Sequence, residues 1–74
     1  MLQKIKLNKP DDVKEFVKAA NRCAFEVDVS YDRVMVDAKS LMGILAMDLA
    51  NCLTVICHGE DQEFAGSLKK WAVN

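Results

Sequence analysis

The sequence predicts an α+β domain in which a four-stranded antiparallel sheet carries three helices on one face, in the order βαββαβα. Short runs alternate polar and apolar residues, the period-2 signature of a half-buried strand. Between them lie segments whose apolar residues recur at helical spacing. Each strand is apolar on one face only, as expected where one side of an antiparallel sheet packs on a core and the other meets water.

Lys4-Ile5-Lys6-Leu7 alternates and gives the first strand, with Ile5 and Leu7 inward. Pro10 followed by Asp11 and Asp12 opens the first helix, because proline suits the first helical position and acidic side chains favour the positive end of the dipole. Its core face is Val13, Phe16, Val17 and Ala20. Phe25-Glu26-Val27-Asp28-Val29 and Val34-Met35-Val36-Asp37 both alternate, and the polar Tyr31-Asp32-Arg33 between them turns the chain, so these runs form a hairpin.

Ser40 then stands before a compact apolar segment, where its hydroxyl can accept the backbone N–H of Met42 or Gly43 as an N-cap. Leu41, Met42, Ile44, Leu45, Ala46, Met47 and Leu49 cannot all face one core on a helix of about two turns, so part of this surface is expected to be exposed. Leu53-Thr54-Val55-Ile56-Cys57 is the fourth strand, with Leu53, Val55 and Cys57 inward and Gly59 ending it. Glu60-Asp61-Gln62-Glu63 supplies the acidic start of a last helix whose apolar stripe is Phe64, Leu68, Trp71 and Ala72, with Lys69 and Lys70 near its C-terminal end. Gly66 inside that helix costs about 1 kcal/mol relative to alanine.

Residues 1–74 are expected to form a single domain with a small core. A formal net charge of -1 offers no global attraction for nucleic acid or membrane, so a partner has to be recognised by a local patch. The first six residues contain no apolar signal core, and no stretch approaches the ~20 apolar residues of a membrane span, which points to a cytoplasmic protein. Cys23, Cys52 and Cys57 are odd in number and contain no Cys-x-x-Cys pair, so reduced thiols are expected.

Ala38-Lys39-Ser40-Leu41-Met42-Gly43-Ile44 resembles the regulatory-serine segment of HPr, the histidine-containing phosphocarrier family of the bacterial sugar phosphotransferase system. The order of elements is also that of the HPr open-faced β-sandwich. Phe16-Val17-Lys18-Ala19-Ala20 and Gly59-Glu60-Asp61 add to the resemblance, which spans essentially the whole chain. It implies that Ser40 is a site of regulatory phosphorylation by an ATP-dependent HPr kinase. It further implies that Ile44 and Met47 lean inward, while Leu41, Met42 and Leu45 form a docking surface for proteins. Asp48 stands where the family usually has glycine at the end of this helix.

The phosphocarrier motif of that family is glycine, leucine or isoleucine, histidine, alanine or threonine, arginine, proline at the start of the first helix. This sequence departs from it completely. Counting back from Phe16, the histidine position falls at Lys9 and the arginine position at Asp11, and the preceding loop is several residues shorter than the family's. The residues agree without the comparison, since Asp11 and Asp12 occupy the terminus that would attract phosphate, and carboxylates repel a dianion.

The only histidine, His58, ends the fourth strand and reads as an exposed side chain without a catalytic role. Cys57 and His58 point to opposite faces and do not form a nucleophile–base pair. No recognised ligand spacing joins Cys23, Cys52, Cys57 and His58, so no metal site and no cofactor are expected. The open face should present Lys4, Lys6, Glu26, Asp28, Met35, Asp37, Thr54, Ile56 and His58, without the aromatic residues of an RNA-binding sheet.

Three readings of function remain open on sequence alone. The first is a non-enzymatic HPr-like regulator, similar to the catabolite-repression HPr-like proteins, that has no phosphohistidine and works through proteins such as HPr kinase/phosphorylase or a transcriptional regulator. The second is an unphosphorylated interaction or ligand-binding module on the same fold, with Ser40 only a cap. The third is a residual phosphocarrier using His58.

Overall fold

The computed structural model describes residues 1–73. Strand β1 (Leu2–Ile5) leads into helix α1 (Pro10–Asn21), the hairpin β2 (Val27–Tyr31) and β3 (Val34–Asp37), the short helix α2 (Leu41–Leu45), strand β4 (Leu53–Cys57) and helix α3 (Gln62–Leu68). The strands form one antiparallel sheet in the order β1-β4-β2-β3, with the helices packed on one of its faces.

Alternation decides which face is which. Ile5, Val27, Val29, Leu53, Val55 and Cys57 are buried on the helix side and join Val13, Phe16, Val17 and Ala20 of α1, Ile44 of α2, and Phe64 and Leu68 of α3. Burial of each large side chain contributes about 1.5–3 kcal/mol. Phe16 sits at the middle of this core, edge-on to Trp71 with ring centroids 5.9 Å apart and tilted against Phe64 at 6.3 Å.

Several boundaries differ from the sequence expectation. Strand β1 occupies residues 2–5, while Leu7 is buried just beyond it and the neighbouring Lys6 N–H donates to the Trp71 carbonyl. Strand β2 begins at Val27 and includes Tyr31, leaving Asp32 and Arg33 as a two-residue turn with Asp32 at φ 55°. Phe25 lies outside the strand, its ring 2.4 Å from the point where a Cβ on Gly59 would sit, so glycine is what permits that approach. Helix α3 stops at Leu68; Trp71 is still buried, but Ala72 is exposed and bridges to Ile5 rather than extending a helical stripe.

Candidate functional site

Two helix starts carry the residues that the sequence singles out. At the first, Lys9 is the N-cap of α1 and Pro10 the first helical residue, placing the carboxylate of Asp12 at the terminus. One oxygen of Asp12 accepts the backbone N–H of Asn8 at 3.0 Å and of Lys9 at 3.2 Å. The Asn8 N–H is the largest influence holding the Asp12 pKa below its ordinary value; partial desolvation opposes it, and the Trp71 indole and Lys9 assist. The negative charge at this terminus therefore belongs to the chain itself.

At the second start, Ser40 is extended and exposed, and its Oγ accepts the Gly43 N–H at 3.1 Å. The loop before it is fixed by α1. Lys39 Nζ donates to the Cys23 carbonyl at 2.9 Å, and Asn21 Nδ2 donates to both the Val17 and Lys39 carbonyls. These tethers were not foreseen from sequence, because they join residues 16 and 18 positions apart and lack a local spacing signal. They aim the Lys39 ammonium at the turn just after α1 and leave the Ser40 hydroxyl facing solvent.

Beyond Ser40 the short helix divides its apolar residues. Ile44 is fully buried and Met47, past the end of the helix, packs against the core, whereas Leu41, Met42 and Leu45 are 37%, 83% and 52% exposed. After the helix, Asp48 Oδ1 accepts the Ala50 N–H, giving that turn a side-chain anchor. The start of α1 meets the far end of α2 at a shallow groove of about 300 Å³, where Lys9 and Pro10 face Leu45 and Leu49.

The open face of the sheet mixes polar side chains with the apolar Leu2, Met35 and Ile56, and it holds an aligned pair. His58 Nε2 lies 2.9 Å from Asp28 Oδ2, so the imidazole has a partner that the sequence reading did not supply. The cysteines are free, and Cys23 and Cys57 are buried while Cys52 is exposed. Burial raises the pKa of Cys23 and of Cys57, which disfavours a nucleophilic thiolate at either position. No helix among the described residues is long and apolar enough to cross a membrane.

Residues 12–70 match the family model described as the PTS HPr component phosphorylation site. The chain belongs to the HPr family. The fold is that of solved HPr structures. HPr-C-His from Thermoanaerobacter tengcongensis superimposes with a TM-score of 0.75 at 22% identity, over 95% of this chain and 88% of that one. The phosphocarrier protein HPr of Bacillus anthracis gives 0.71 at 25% identity, over 99% and 96%. The Bacillus subtilis catabolite repression containing protein Crh gives 0.66 at 25% identity, over 95% and 88%. A search of curated protein sequences gives no match.

Membership in HPr accounts for the βαββαβα order and places this chain among phosphotransferase-system proteins. The matched span begins at Asp12, three residues past Lys9.

Proposed function

We propose that this HPr-like chain, acting as one domain over residues 1–74, works by protein contact and serine phosphorylation and does not carry phosphohistidine. The contrast between the two helix starts carries the reading. At α1 the HPr histidine position corresponds to Lys9, and the Asn8 and Lys9 N–H groups are already taken by Asp12. At α2 an exposed Ser40 hydroxyl stands beside the exposed Leu41, Met42 and Leu45. An apolar patch next to a modifiable hydroxyl fits a partner-binding face whose affinity changes with charge. Likeness to Crh, whose name ties it to catabolite repression, supports the regulatory half of the proposal.

Phosphorylation there is compatible with the fold. Transfer of the ATP γ-phosphoryl group to Ser40 Oγ releases ADP and the hydroxyl proton and adds about -1.5 to -2 charge. The phosphate oxygens can take over the Gly43 N–H that Oγ now accepts. The new charge then borders the patch on Leu41, Met42 and Leu45 without requiring the helix to melt.

The test is incubation with purified HPr kinase and ATP, followed by phosphosite mapping. One phosphate on Ser40, absent from Ser40→Ala, is expected. No incorporation, with Ser40→Ala costing only about 1 kcal/mol of stability, would instead leave Ser40 a helix cap.

A further inference from the structure

On the face of the sheet turned away from the helices, Asp28 of β2 meets Glu26 and His58, the residues flanking β2 and β4, three side chains that the HPr reading does not use. Val27 pairs with Cys57, and the His58 N–H donates to the Glu26 carbonyl at 3.1 Å, so Glu26 lies across from His58. Asp28 lies two residues beyond Glu26, inside β2, and on the same face. His58 Nε2 is 2.9 Å from Asp28 Oδ2, and one ligand-type atom from each of Glu26, Asp28 and His58 lies within 4.8 Å of the others. Asp37 is paired directly with Asp28 on the next strand, adding a like charge beside the cluster.

We propose that Glu26, Asp28 and His58 bind a divalent transition-metal ion, with Zn²⁺ the probe of choice. One imidazole nitrogen and two carboxylate oxygens form a donor set suited to that class of ion, and two negative charges balance its charge. Tetrahedral ligands at about 2.0–2.2 Å from zinc lie roughly 3.4 Å from one another, a spacing these side chains reach by small rotamer shifts. The ion takes the Nε2 lone pair of neutral His58, with the ring proton on Nδ1, and replaces the contact to Asp28. Strands β2 and β4 are interior to the sheet, and the His58 N–H bond to the Glu26 carbonyl continues their pairing one residue past the strand ends, so the backbone is held before the ion arrives. Exposure leaves water to complete the coordination.

This departs from the sequence expectation of no metal site, which weighed only cysteines as companions for His58. Cys57 points to the opposite face, and Cys52 lies before the far end of β4. The site is independent of Ser40.

The experiment is Zn²⁺ titration of the Cys52→Ser protein by calorimetry and NMR. Saturable one-to-one binding that shifts the His58 ring resonances is expected, weakened at least tenfold by His58→Ala and by Asp28→Asn. Glu26→Gln provides a third variant should either of those lose the native NMR spectrum. Absence of saturable binding up to millimolar Zn²⁺, or unchanged affinity in folded variants, would overturn the proposal.

Discussion

Asp12 gathers the Asn8 and Lys9 N–H groups onto one carboxylate oxygen, so the start of α1 depends on that side chain being ionised. Asp12→Ala should cost about 1 kcal/mol at neutral pH, the usual loss of a helix-terminal acceptor. Because the folded pKa is below the unfolded one, this stabilisation is fully present above the unfolded value of about 3.9 and fades as pH falls through the folded value. Thermal unfolding of wild type and Asp12→Ala between neutral and strongly acidic pH should therefore show two midpoints converging at the acid end. The cysteines offer a second residue-level check. A thiol reagent on the native protein should modify the exposed Cys52 and spare Cys23 and Cys57 until unfolding, as read by peptide mass mapping.

Among the elements, α3 presents the simplest substitution. Nothing lies within 4 Å of a Cβ built on Gly66, so Gly66→Ala gains helix propensity without a clash. It should raise stability by about 1 kcal/mol in chemical denaturation. The same helix marks the limit of reading by periodicity. Phe64 and Leu68 are buried as their spacing implies, and Trp71 continues that spacing, but the chain leaves the helix after Leu68 so that Val73 N–H can donate to the Lys4 carbonyl. A long-range backbone bond of that kind leaves no trace in local pattern. The β2–β3 turn is similar: tyrosine reads equally well as turn or strand, and pairing with Val34 draws Tyr31 into β2. Alternation was enough for the inward faces of β2 and β4, because each is buried on one side only.

At the scale of the whole molecule, the sheet separates two surfaces. The helix side joins the end of α2 to the start of α1, and the opposite side gathers carboxylates around His58. The Ser40 cap could be read from sequence because it spans three residues, from Oγ to the Gly43 N–H. The tethers from Lys39 and Asn21, and the Asp28–His58 pair, could not, because they depend on sheet register and helix docking. Family resemblance supplied the expected division of α2 into inward and outward residues where periodicity left it open. The two surfaces have separate chemistry, so metal binding at His58 and modification at Ser40 can be examined one at a time. The most direct measurement of the proposed function is intact-mass spectrometry of two parallel reactions, one with HPr kinase and ATP, the other with enzyme I and phosphoenolpyruvate. A single added phosphate in the kinase reaction, lost in Ser40→Ala, with no addition from phosphoenolpyruvate, is the expected result; phosphate delivered from phosphoenolpyruvate to His58 or any other residue would contradict the account.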